Sequence, residues 1–216
     1  MNIEINVPTS LNEITLGQYQ KFLKVAEENQ EGSFLNAKMI EIFCGIPLSD
    51  SYKLKMSSVE AIVDILTEML NEKPTHIDKF TLNGTQYGFI PDLDEMSLGE
   101  YVDLDGNASD WQKMHIAMNV LYRPIVTSKV GKYNIEEYTA SDSDKMKAMP
   151  LGAAIGSLFF FYNLGIELSK HTILSSNLEE VEEFQEQLTS ETNGVGINQF
   201  MVSLTEILQD LKISLN

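Results

Sequence analysis

Residues 11–19 read Leu-Asn-Glu-Ile-Thr-Leu-Gly-Gln-Tyr and residues 93–101 read Leu-Asp-Glu-Met-Ser-Leu-Gly-Glu-Tyr, a repeat with five of nine positions identical and four conservative. Thr15 with Gln18, and Ser97 with Glu100, each form a capping-box pattern. The hydroxyl takes the amide of the third helical residue, and that residue's side chain takes the cap amide, so each copy opens a helix. Downstream, each copy reaches an aromatic-led apolar run and then a proline: residues 34–43 before Pro47, and residues 111–122 before Pro124. The caps are offset by 82 residues and the prolines by 77, so the spacing is not rigid. Either a helix-pair module has been duplicated, or a common cap pattern occurs twice by chance.

Outward from the repeat, residues 58–72 predict a further helix with Val59, Ile62, Val63, Ile65, Leu66 and Leu70 on its apolar side. Alternation at Lys79-Phe80-Thr81-Leu82, then Asn83-Gly84, then Gln86-Tyr87-Gly88-Phe89-Ile90, predicts a β-hairpin with a type I′ turn. Residues 127–138 have no helical stripe and read as an extended surface loop, with a short strand as the alternative. Residues 141–144 (Ser-Asp-Ser-Asp) read as a cap before residues 150–166, seventeen uncharged residues in a row. That run is near the lower limit of a membrane span. Ser157 and Asn163 interrupt it, and Glu167 and Lys170 end it, so it reads as a buried central helix. Its small residues Gly152, Ala153, Gly156 and Ser157 would admit a neighbouring helix closely.

The final forty residues change character, with eight acids and no base between 172 and 211. One helix fits residues 177–188, a hinge fits residues 189–196, and a strongly amphipathic helix follows. Ile197, Phe200, Met201, Leu204, Ile207, Leu208 and Leu211 recur there at three- and four-residue steps. Those residues are the candidate partner-binding stripe, offered either to the chain's own core or to a groove on another molecule. The fold class expected is mainly α: a helical domain with one small β-hairpin and a C-terminal amphipathic appendage. Its parts are residues 1–78 (helical), 79–174 (hairpin plus central helices) and 175–216.

The 216 residues include 43% apolar ones, enough for a substantial core, and 15 Lys and Arg against 32 Asp and Glu give a net charge of −17. Nucleic acid and anionic membranes are poor partners for such a surface, because both are held by cations. A lone Cys44 forms no internal disulfide, and the first residues lack a secretion-signal pattern, so the expected compartment is a reducing cytoplasm. No phosphate-binding loop, dinucleotide fingerprint, HExxH, CxxC or GxSxG occurs. Asp103-Leu104-Asp105-Gly106-Asn107 begins like a calcium loop but has Ala108 at its sixth position and Met114 at its twelfth. No catalytic residue, metal ligand or cofactor is expected. His115 shares a helical face with Trp111, Met118 and Tyr122 and reads as packing. Arg123, the sole arginine, is expected to form a bidentate internal pair with an acid. With Thr15, Gln18, Ser97 and Glu100 it makes up the structural set.

The stretch GFIPDLDEMSLGEYVDLD (88–105), with LYRPI (121–125), YNIEEY (133–138) and PLGAAIGSLFFFYNLGIEL (150–168), resembles uncharacterised proteins from the structural gene blocks of tailed bacteriophages. The resemblance covers residues 11–170 and carries no catalytic residues. It implies a non-enzymatic role in virion morphogenesis through protein–protein interaction, with tail or neck proteins as partners. Tail assembly chaperones are the nearest likeness; a structural component of the head–tail or tail assembly, homo-oligomeric or not, is the alternative. It places the chain in the host bacterial cytoplasm or in the virion. An acidic DNA mimic that occupies a basic host protein is the different-class alternative. Ten methionines suit either an adaptable binding surface or an ordinary core.

Overall fold

The computed structural model describes residues 5–29, 32–129 and 131–175, with side chains to residue 164. The acidic segment, the hinge and the stripe from Ile197 to Leu211 lie outside the described residues. Helix α1 (Leu16–Glu28) starts at Thr15 and α5 (Leu98–Ala108) at Ser97, and both capping boxes are complete. Each is followed by a second helix: α2 (Ser33–Cys44) packs on α1, and α6 (Met114–Leu121) packs on α5. The two second helices end differently. Gly45, at φ 69°, closes α2 in the left-handed conformation ahead of Pro47. The helix read over residues 111–122 is shorter, because residues 111–113 form a turn and Tyr122 is already extended at φ −119° and ψ 122°. Pro124 bars Arg123 from helical angles, so the chain leaves α6 as a strand.

A short α3 (Leu48–Ser51) leads to α4 (Met56–Leu70), which buries Ile62, Leu66 and Met69 and leaves Ile65 at the surface. Strands β1 (Lys79–Leu82) and β2 (Thr85–Phe89) form the expected hairpin, with Asn83 and Gly84 both at positive φ. The sheet is larger than one hairpin. β3 (Tyr122–Lys129) and β4 (Lys132–Ile135) extend it to four antiparallel strands in the order β1-β2-β3-β4. The segment read as an extended loop therefore supplies a strand pair. Its inward residues are few, Tyr133 and Ile135 on β4, and they alternate with exposed Lys132 and Asn134. Gly88 is glycine because Tyr133 lies across it, where a Cβ would have no room, and the Tyr133 hydroxyl donates to the Phe89 carbonyl at 2.7 Å.

The apolar run becomes α7 (Leu151–Ser175), whose Leu151, Ala153, Ala154, Ile155 and Leu158 are buried. Its small residues admit loops and not the helix expected. A Cβ at Gly156 would lie 2.6 Å from the Thr75 carbonyl oxygen, and Gly152 makes room for the Asn12 side chain. Tyr122 ties sheet to helix: its hydroxyl donates to the Ile77 carbonyl at 2.6 Å and shares a hydrogen bond of 2.9 Å with Ser157. Residues 141–144 do not cap α7. Asp142 sits at φ 70° without a side-chain cap bond, and a 3-10 turn (Ser143–Ala148) intervenes before Pro150. One continuous cluster of buried side chains runs from Leu11 to Phe161. Among the described residues no helix is long and apolar enough to cross a membrane.

Candidate interaction surface

Local sequence sets the start of each repeat helix. In the first copy the Thr15 Oγ1 accepts the Gln18 amide at 3.1 Å, and the Gln18 Oε1 accepts the Thr15 amide at 2.8 Å. In the second, Ser97 and Glu100 exchange the same bonds at 3.3 and 2.7 Å. The remaining polar atom of each third helical residue then binds a different element. The Gln18 Nε2 donates to the Ile42 carbonyl on α2 at 2.8 Å. The Glu100 Oε1 meets the Arg123 Nη1 on β3 at 2.8 Å, with both side chains buried.

Burial pushes the Glu100 carboxyl up, but the Ser97 hydroxyl and amide and the Arg123 charge outweigh it and hold the group below its usual range. The pair is single and not bidentate as expected, since the Arg123 Nε is buried without a partner. Asp103 and Asp105 sit within helix α5, where the Tyr138 hydroxyl donates to Asp103 at 2.6 Å, so no calcium-type loop forms there.

The two copies diverge on their opposite face. Leu16, Gly17 and Gln20 correspond to Leu98, Gly99 and Val102. Leu16 and Gln20 are 0% and 5% exposed, whereas Leu98 and Val102 are 78% and 58% exposed. The strand-like stretch after the 3-10 turn covers the first copy: the Leu16 amide donates to the Met149 carbonyl at 3.0 Å, and the Leu151 amide to the Ile14 carbonyl at 2.9 Å. Thr15 and Pro150 form the bridge between them. Gly17 allows this approach, because a Cβ there would stand 3.0 Å from the Lys147 carbonyl oxygen. Gly99 and Gly106 on α5 have open space where a Cβ would go. Leu98, Val102 and Gly106, at steps of four, therefore form an apolar ridge on the solvent side of α5.

The candidate residues do not converge on one centre. Thr15 with Gln18, and Ser97 with Glu100 and Arg123, form two separate caps, while the stripe from Ile197 to Leu211 is outside the described residues. Leu98 and Val102 escaped the sequence reading because capping chemistry drew attention to the inner face. The available signal was Val102 standing where the first copy has Gln20.

His115 is buried among polar partners. The Gln20 Nε2 donates to the Trp111 carbonyl at 2.7 Å and lies 3.2 Å from the His115 Nδ1, which makes Nδ1 an acceptor. The proton then sits on Nε2, 3.4 Å from Asp144. Burial and the nearby Lys147 hold the imidazole pKa below its ordinary value. A cavity of about 310 Å³ opens between α1 and the α5–α6 turn, lined by Tyr19, Leu23, Glu27 and Trp111 with Ser109, Asp110 and Gln112. His115 does not line it. Among the described residues, no group of three or more His, Cys, Asp or Glu side chains is placed to hold a metal ion. Comparison with protein-family models, with curated proteins and with solved structures finds no match.

Proposed function

We propose that this chain is a non-enzymatic protein-binding module of tailed-phage morphogenesis, an assembly factor resembling tail assembly chaperones. The observation that carries the binding role is the uncovered ridge of Leu98 and Val102 on α5, whose counterparts in the first copy are packed away. Leu98 is the most exposed of the large apolar side chains among the described residues, and Val102 lies one helical turn from it, so the two adjoin on one face. A net charge of −17 suits a soluble holder of an aggregation-prone client. The assignment to a phage rests on the sequence resemblance over residues 11–170.

The test is the composition of purified particles by mass spectrometry beside affinity recovery from infected cells. An assembly factor is missing from the particle and co-purifies with a tail or neck protein. Recovery in the particle at a fixed copy number would replace that role with a structural one. Absence from the particle together with failure to recover any phage protein would reject the morphogenesis reading.

A further inference from the structure

The covered copy of the repeat shows what the bare copy is shaped to hold. The segment over the first copy reads Lys-Met-Lys-Ala-Met-Pro-Leu (145–151). It approaches as a 3-10 turn, buries Met146, Met149 and Leu151 fully, and exchanges two backbone hydrogen bonds across the cap residue. The second copy has the same receiving geometry. Ser97 is extended at ψ 157° where Thr15 has 155°, and Met96, Leu98 and Gly99 stand at the positions of Ile14, Leu16 and Gly17. Among the described residues nothing accepts the Leu98 amide proton or donates to the Met96 carbonyl.

The charge around this face selects the occupant. Residues 80–112 contain seven acids and no base; Glu100 is paired with Arg123 and Asp110 with Lys113, which leaves Asp92, Asp94 and Glu95 exposed just before the cap, with Asp94 where the first copy has Asn12. Residues 176–211 of this chain carry eight acids and no base, so their charge does not complement this face. The segment 145–151 of a second copy is already seated on its own first repeat.

We infer that residues 96–99 with Val102 bind a short segment of a second protein, one that carries methionine or leucine side chains flanked by lysines. It adds a single antiparallel bridge with two backbone hydrogen bonds across Ser97, as residues 149–151 do across Thr15. Gly99 is the position that lets this backbone come close, the role Gly17 plays against Lys147. The inference rests on reading the chain as a protein-binding module and adds the ligand chemistry.

The probe is a capped synthetic peptide of residues 145–152, titrated into the isotope-labelled full chain and followed by amide chemical shifts. Saturable shifts confined to residues 96–102 are expected. Affinity should fall at least about tenfold with Leu98→Asp in the protein, or with both lysines of the peptide changed to glutamate. Gly99→Val, which fills the approach without adding charge, should weaken binding as well. Leu98 is at the surface, and an unchanged unfolding midpoint will verify that the Leu98→Asp protein is folded.

No saturable shift at a peptide concentration of about 1 mM would overturn the inference. So would shifts centred on residues 14–17, which would mean that the peptide only competes for the first copy. If a phage partner is recovered from cells and is lost in Leu98→Asp while the peptide does not bind, the binding module stands and this ligand class is rejected.

Discussion

The two copies of the repeat share a helix start and differ in what surrounds it. Around the start of α1 the packing is two-sided: Gln18 reaches α2, and Leu16 and Gln20 lie under the segment before α7 and against Trp111 and His115, while Lys21, Lys24 and Glu28 face solvent. Around α5 Glu100, Leu104 and Ala108 are buried, and Leu98 and Val102 are exposed among the described residues. The first copy is thus a joint closed on the Leu16 side, and the second is open on the matching side among the described residues. The side chains agree, since a buried position facing backbone carries a glutamine in one copy and a solvent position carries a valine in the other. Duplicated local chemistry therefore sets where helices begin, and long-range packing sets which of their faces remain available.

The third helical residues and the residues at the helix start should both separate the copies strongly. Arg123→Ala leaves the buried Glu100 carboxylate with its Ser97 hydrogen bonds alone, and thermal unfolding should show a loss of about 2–3 kcal/mol. Gln18→Ala removes neutral hydrogen bonds only and should cost about 1–2 kcal/mol. Leu16→Ala opens a cavity in a packed joint and should cost about 2–5 kcal/mol, while Leu98→Ala should change stability by less than about 0.5 kcal/mol. Equal losses at Leu16 and Leu98 would erase the distinction between the copies. Gly99→Ala should stabilise the isolated chain by about 0.5–1 kcal/mol, because the helix gains propensity where space is open. Gly17→Ala should destabilise it by pressing on the Lys147 carbonyl.

A smaller effect depends on pH. Burial holds the pKa of both His76 and His115 below the ordinary value of 6.5. The folded chain then binds fewer protons than the unfolded one, so stability falls as pH drops below about 6.5, before most carboxylates titrate. His76 stacks on Phe160 at 4.7 Å and its Nδ1 has no partner. His76→Phe should therefore flatten the dependence of the melting temperature between about pH 6.5 and 5. An unchanged slope would remove His76 from this account.

Much of this arrangement was legible because its signals are local. The capping boxes, the Asn83-Gly84 turn and the apolar run of α7 each depend on residues within a few positions of one another. The loop over residues 127–138 allows a short strand, but the pairing of β3 and β4 onto the hairpin is not legible there, because only Tyr133 and Ile135 of β4 face inward and Gly88, which makes room for Tyr133, lies on a distant strand. The helix read over residues 111–122 starts three residues later, after the turn at 111–113, and ends one residue earlier, at Leu121, because Pro124 acts on Arg123 and the strand continues back through Tyr122. The bare face of α5 was illegible for a different reason. No pattern in residues 93–108 tells Leu98 from Leu16; the difference comes from residues 145–151, which pack on the first copy and not on the second.

The most direct test is the thiol-labelling rate of Leu98→Cys beside that of Leu16→Cys, each in the full chain with Cys44 changed to alanine. The account predicts that Leu98→Cys reacts nearly as fast as an unfolded thiol in the isolated protein, while Leu16→Cys reacts only as the protein unfolds. Protection of Leu98→Cys in the isolated chain would show that the chain covers its own second copy, and would contradict the claim that this face is left for another molecule.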